Sequence, residues 1–327
     1  MYKEISSPFI VANPILSVWV ITFNHELYIE NAIQSIINQQ ITVPYEIVIS
    51  DDCSKDHTTA ICKQLQNSYP EIIRLIIHAR NTGYEKNFWN TFSFCRGSFI
   101  AMLEGDDYWC ENRHIEKQIA VLENNTTISG VCGNFYIKDE ENNSFAPYYT
   151  SLPWGKELLP IEDLLKVWTI HINTLVFKKE MLDISVITQE TKCADIALVI
   201  LIAEKAPILY NNEIYAVWRK HRKGFSNSLT KNMSTILRHK KTYLNFFNKL
   251  YNYKYDSTIR AQKQWDYQEW FIQLKADRNV KYSLDLLRSA ILKEQYKLPR
   301  SLKGKLQYLF PSLYKRYYTI LRGSKNE

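Results

Sequence analysis

Ser98-Phe99-Ile100-Ala101-Met102-Leu103-Glu104-Gly105-Asp106-Asp107-Tyr108-Trp109 sets a short apolar run directly before a turn that carries three carboxylates. A run of this length and type, closed by polar residues, reads as a buried strand. Three earlier runs have the same character: Ser17-Val18-Trp19-Val20-Ile21, Glu46-Ile47-Val48-Ile49 and Arg74-Leu75-Ile76-Ile77. Helical periodicity fills the gaps, as in Ile29, Ala32, Ile33, Ile36 and Ile37, and continues after the acidic turn at Ile115, Ile119 and Leu122. Strands alternating with helices predict an α/β fold, a Rossmann-like and mostly parallel sheet with helices on both faces.

Open parallel sheets bind ligands outside the carboxyl ends of their strands. The first strand is followed by Thr22-Phe23-Asn24-His25-Glu26, the second by Ser50-Asp51-Asp52-Cys53-Ser54-Lys55-Asp56, and the fourth by the acidic turn, so two carboxylate clusters converge on one edge. The chain has only nine glycines, and neither G-x-G-x-x-G nor G-x-x-x-x-G-K-[ST] occurs. Dinucleotide folds and P-loop NTPases are thereby disfavoured. Carboxylates repel phosphate, so a nucleotide diphosphate at this edge requires a divalent cation between them.

The 327 residues include 46% apolar, 23% charged and 13% aromatic side chains, a folded composition rather than a disordered one. That length predicts one large domain or two modest ones. No run approaches the ~20 apolar residues of a membrane span, and Met1-Tyr2-Lys3-Glu4 does not begin a secretory leader, which predicts a cytoplasmic protein. The six cysteines are scattered without a C-x-x-C pair and read as reduced and structural. Residues 125–230 are less regular, with a loop expected over Asn142 to Pro153 and apolar segments at Thr174 to Phe177 and Asp195 to Ala203.

Val20-Ile21-Thr22-Phe23-Asn24, the Asp51 to Asp56 turn, Asn81-Thr82-Gly83, Glu104 to Trp109, Ala194-Asp195 and Trp218-Arg219-Lys220-His221 occur here in order. Together they resemble the family 2 glycosyltransferases, inverting enzymes of the GT-A fold, over about residues 15–230. The resemblance implies a catalytic domain at 1–230 that takes a nucleoside diphosphate sugar donor and a glycan or lipid-linked acceptor, of the type that builds bacterial surface polysaccharides. A non-catalytic nucleotide-sugar or glycan-binding module on the same fold is the alternative.

The resemblance also implies roles. Thr22, Asn24, Glu26, Asp51 and Asp52 fall where the family cradles base and ribose, with Lys86 and Asn87 as further candidates on the nucleotide side. Asp51, Asp52 and Ser54 also suit a plain turn and helix cap. Asp106 takes the place of the ligand for Mg²⁺ or Mn²⁺, with Glu104 or Asp107 assisting through ribose or metal-bound water. Asp195, at a helix start, falls where the family places its base, although such an aspartate is also a common cap. Arg219 and His221 belong to a basic loop that closes over the diphosphate in relatives and can lend its histidine to the metal.

The formal charge of +7 is unevenly spread: residues 231–327 hold 21 Lys+Arg against 7 Asp+Glu, whereas residues 1–230 hold 20 against 27. This basic extension interleaves cations with aromatics, as in Leu302 to Phe310 and Leu313 to Tyr318, and reads as helices broken at Pro299 and Pro311. Such helices suit an anionic membrane surface, peripheral at the inner face, or a subdomain packed on the core with a solvated basic face. Nucleic acid is not an expected partner, since the body is acidic and no binding motif is present. The Gln-x-x-Arg-Trp motif of processive membrane synthases is also missing.

Overall fold

A computed structural model describes residues 2–148, 157–166, 170–188, 191, 193–224 and 233–263. The chain divides into two compact units, Met1–Ser228 and Leu229–Glu327.

The first unit is built on β2 (Leu16–Thr22), α1 (Ile29–Ile37), β3 (Tyr45–Asp51), α2 (Thr58–Ser68), β4 (Ile73–His78), α3 (Tyr84–Phe94) and β5 (Phe99–Glu104). These strands lie parallel in the order β4-β3-β2-β5. The order reverses beside β2, so the carboxyl ends of β2 and β5 flank the topological switch point, where open α/β sheets bind their ligands. Register brings Ile21 opposite Glu104 and Thr22 opposite Asp51. The turns that follow all three strands therefore share one edge.

Strand periodicity explains the layers. Val18 and Val20 point into the cluster with Ile29, Ala32, Ile33 and Ile36 of α1. Trp19 points the other way and meets Phe88 and Phe92 of α3, with ring centroids 4.4 and 5.7 Å apart. Helices on both faces bury both sides of β2, which is why all seven of its residues are inaccessible.

The sheet continues beyond β5 with mixed polarity. β10 (Val176–Lys178) runs antiparallel to both β5 and β7 (Gly130–Asp139), β11 (Ile208–Lys220) runs parallel to β7, and β6 (Tyr108–Trp109) pairs antiparallel with β11. β9 (Leu158–Leu159) also pairs with β11, and β1 (Tyr2–Ile5) closes the far edge against β4. α4 (His114–Glu123) packs under β7 and β10, α5 (Ile161–Leu164) is a single turn, and α6 (Ala194–Lys205) buries its apolar middle, Ala197 to Ala203.

One expectation is corrected. Part of the loop expected over Asn142 to Pro153 is a strand, β8 (Ser144–Tyr148), folded back on β7. The side chain of Asp139 accepts from the backbone N–H groups of Glu141 and Asn142, both at 3.0 Å, and Asn143 adopts a left-handed φ of 47°. That turn brings Phe145 onto Tyr136, with stacked rings 4.6 Å apart. All six cysteines are free thiols.

In the second unit α7 (Met233–Leu250) is followed by a turn and a further helical stretch to residue 263, with Leu244, Phe247, Tyr255 and Ile259 buried. The remainder of the basic extension, with Pro299, Pro311 and both aromatic basic stretches, lies outside the described residues. Among the described residues no helix is long and apolar enough to cross a membrane.

Candidate active site

At the switch point the chain leaving β5 crosses directly over the end of β2. The N–H of Gly105 donates to the carbonyl of Ile21 at 2.9 Å, and a Cβ at this position would lie 2.9 Å from Thr22 Cβ and 3.0 Å from the Ile21 oxygen. Only glycine fits without moving β2, so the middle of the acidic turn is fixed by packing as well as by charge. Thr22 Oγ1, in the same crossing, is buried without a hydrogen-bond partner.

The three carboxylates of this turn have different surroundings. Asp107 is 1% exposed and points inward, accepting from the Arg219 backbone N–H at 2.7 Å and from Asn173 Nδ2. Burial and the charges of Asp106 and Glu104 push its carboxyl well above the usual range, against the pull of Arg219. The Arg219 guanidinium also turns inward. It donates to the Asp106 carbonyl at 2.8 Å and to Asn31 Oδ1 at 2.5 Å, and lies over the Tyr108 ring at 4.4 Å. Asp107 and Arg219 thus tie β11 to the acidic turn and hold its backbone.

Asp106 is 17% exposed and faces the cleft. His221 Nε2 is 3.0 Å from its Oδ2, and His25 Nε2 is 3.7 Å from the same oxygen. Burial acts to raise the Asp106 carboxyl, but the two imidazoles outweigh it and hold the group down at about 2. The His221 ring packs on Tyr28, 4.6 Å between centroids.

Glu104 contrasts with Asp106. Burial and the negative charges of Asp106 and Asp195 raise its carboxyl to about 8, although a hydrogen bond from Tyr84 draws it down. Asp195 reaches this group from α6. Cys193 turns into the helix with a left-handed φ of 58°, which sets Asp195 in the first turn. Burial raises the Asp195 carboxyl above its ordinary value, partly offset by backbone N–H groups at the helix start.

The residues after β2 and β3 form a cross-braced platform. Asn24 adopts a left-handed φ of 57° and accepts from the Lys55 N–H at 2.7 Å, while Glu26 accepts from the His57 N–H at 3.0 Å. Asp51 is fully buried, with its oxygens bonded to Ser54 and Thr59. Asp52 spans to the next turn, accepting from the N–H groups of Thr82 at 2.7 Å and Gly83 at 2.9 Å. Gly83 enters α3 at a φ of 87°, a conformation that favours glycine. Lys86 is exposed on the first turn of α3, whereas Asn87 is buried against Ser50, its Oδ1 accepting from Ser50 Oγ at 2.7 Å.

The fold therefore brings Glu104, Asp106, Asp107, Asp195, Arg219 and His221 into one electrostatic group. Asp51, Asp52, Asn24 and Glu26 brace its neighbouring wall. Sequence reasoning missed His25, Tyr84, Asn31 and Asn173. His25 had a visible signal in its place beside Asn24, but Asn173 lies 66 residues from Asp107 and only the tertiary fold joins their side chains.

Among the described residues no three or more His, Cys, Asp or Glu side chains stand as a metal cage. The partly exposed Asp106 carboxylate and the adjacent His221 nitrogen nevertheless fit a Mg²⁺- or Mn²⁺-type site that draws few ligands from protein and the rest from phosphate and water.

The family model described as glycosyl transferase family 2 matches residues 17–185. The chain belongs to glycosyltransferase family 2. A similar uncharacterised protein of Mycobacterium tuberculosis is 29% identical over 217 residues, covering 65% of this chain and 61% of that protein. The chain thus spans about three fifths of the length of these curated relatives. A Campylobacter jejuni relative named GalNAc(5)-diNAcBac-PP-undecaprenol beta-1,3-glucosyltransferase is 29% identical over 170 residues, 52% of this chain and 53% of that one.

Among solved structures, a Pyrobaculum calidifontis mannosyltransferase in complex with GDP-Man and Mn²⁺ superposes with a TM-score of 0.57 at 15% identity, covering 96% of this chain and 90% of the other. Staphylococcus aureus TarS 1–349 with UDP-GlcNAc gives 0.50 at 16%, covering 78% and 80%. At these identities the likeness is one of fold. This family 2 chain has the GT-A architecture.

Proposed function

We propose that this family 2 chain is an inverting glycosyltransferase that moves one sugar from a nucleoside diphosphate donor to a hydroxyl of a glycan or lipid-linked acceptor, in surface-polysaccharide assembly. The observation that carries the reading is the pairing, at the switch point, of a cleft-facing Asp106 beside His221 with a partly buried Asp195 on the facing helix. The Campylobacter relative, named for a substrate on PP-undecaprenol, supports a lipid-linked acceptor.

In this mechanism the Asp195 carboxylate takes the proton of the acceptor hydroxyl as its oxygen bonds to the anomeric carbon and the bond from that carbon to the donor's phosphate oxygen breaks. Attack opposite the departing nucleoside diphosphate inverts the anomeric centre. Its raised pKa makes Asp195 a stronger base than a solvated aspartate. Asp106 and His221 would hold Mg²⁺ or Mn²⁺, and the ion would supply Lewis-acid stabilisation to the departing diphosphate. Arg219 and Asp107 fix the backbone that presents Asp106, while the exposed Arg222 and Lys223 beside His221 offer positive charge to phosphate. Asp52, Asn24 and Glu26 shape the wall for base and ribose.

Calorimetric titration of Mn²⁺ with UDP or GDP tests the cation assignment. Asp106→Ala is expected to weaken Mn²⁺ binding by at least the ~10–100-fold typical of losing a supporting group around a metal. Unchanged Mn²⁺ binding in that variant refutes the assignment.

The basic C-terminal extension is proposed to dock the enzyme at an anionic membrane surface, where a lipid-linked acceptor would reside. Full-length protein should co-sediment with phosphatidylglycerol vesicles at low salt and be released as salt screens the attraction. Failure to bind anionic vesicles at low salt removes this role.

A further inference from the structure

His25, three residues beyond the end of β2, has no part in the mechanism above. Its loop is pinned from α2 and the turn before it. The Asn24 N–H donates to Ser54 Oγ at 2.9 Å, the His25 N–H to Thr58 Oγ1 at 2.8 Å, and the Glu26 N–H to Asp56 Oδ2 at 3.2 Å. This bracing directs the ring at the cleft, where Nε2 lies 3.7 Å from the same Asp106 oxygen that His221 approaches. The two imidazole rings meet edge to face with centroids 6.4 Å apart.

His25 Nδ1 is buried and has no hydrogen-bond partner. With Nδ1 enclosed, only the ring's Nε2 end, at the cleft, has a partner in view.

Donor spacing points the same way. Bonds of ~2.1 Å place neighbouring ligand atoms of an octahedral ion about 3.0 Å apart. Asp106 Oδ2 and His221 Nε2, hydrogen-bonded to each other at 3.0 Å, stand at that spacing, and His25 Nε2 faces the same oxygen at the slightly longer 3.7 Å. Two imidazoles and one carboxylate would leave positions for phosphate and water, and imidazole favours Mn²⁺ and its transition-metal neighbours over Mg²⁺, which prefers oxygen.

We propose that His25 is a second imidazole ligand of the cation site and gives it a preference for Mn²⁺ over Mg²⁺. The inference rests on the reading that Asp106 and His221 hold the cation.

Pulsed EPR of Mn²⁺ added alone to the full chain counts its coordinated imidazole nitrogens without any turnover. Two are expected in the native protein, one in His25→Ala and one in His221→Ala. Competition titrations should show Mn²⁺ affinity falling about 10–100-fold in His25→Ala, with Mg²⁺ affinity within about twofold of native, and circular dichroism confirms that the variant is folded. A single nitrogen in the native protein, lost in His221→Ala and retained in His25→Ala, overturns the His25 proposal and leaves the cation reading standing. No bound Mn²⁺ in the native protein overturns both.

Discussion

Asp195→Asn is expected to lower turnover by about 10²–10⁴-fold, the usual contribution of a positioned general base, while donor affinity stays at the native value. Asparagine keeps the shape and the polar contact at the start of α6 but cannot accept the acceptor's proton. The effect should therefore appear in kcat, because the lost interaction is made only in the transition state. Asp195 carries the negative charge that bears on Glu104, and its own carboxyl is raised by burial, so the native rate should fall as pH drops through that raised value. The variant's residual rate should lack this acid limb. Steady-state transfer assays over a pH series, with calorimetric donor binding, read both quantities. A variant that keeps the native rate removes Asp195 from the chemistry and leaves it a helix-start residue.

The strands and the acidic edge were legible in the sequence because both depend on local pattern. A short apolar run between polar residues has few alternatives to a buried strand in a βα repeat, and its turn residues must then fall at the carboxyl edge. The convergence of Asp195, Arg219 and His221 with Asp106 came from family resemblance, since these residues lie far along the chain and only the pairing of β11 with β6 and β7 brings two of them near. The roles of neighbouring acids were the least legible. Asp106 and Asp107 are adjacent in sequence, yet one faces the cleft and the other is sealed under Arg219, because the backbone reverses side-chain direction between them. The platform carboxylates show the same limit: Asp51 is held inside its own turn, whereas Asp52 reaches 30 residues ahead to Thr82.

Glu46→Ala should be among the most damaging changes to stability, although it lies at the opposite pole of the sheet from the cleft. The residue is fully buried near the start of β3 and gathers the elements that begin there. Ser17 Oγ of β2 donates to it at 2.7 Å, Arg96 contributes its backbone N–H at 2.8 Å and Nη2 at 2.7 Å, and Arg74 of β4 contributes Nη1 at 3.1 Å. Removing the carboxylate leaves two guanidinium groups without their shared anion. Breaking a buried pair of this kind costs about 3–5 kcal/mol, and the partial exposure of Arg96 places this case near 3 kcal/mol. For a unit of this size that corresponds to a fall of roughly 6–12 °C in Tm.

The pH dependence separates charge from packing. Burial acts to raise the Glu46 carboxyl, but the bonds from Arg96 and Ser17 and the charge of Arg74 outweigh it, so its folded pKa lies below the unfolded value of about 4.3. Its stabilising contribution is complete above that unfolded value and is lost as pH falls through the folded one. Urea unfolding of native protein and Glu46→Gln should therefore differ most near neutral pH and converge in acid. A gap that stays constant down to acid pH would mean that shape, and not the buried charge, holds this end of the sheet.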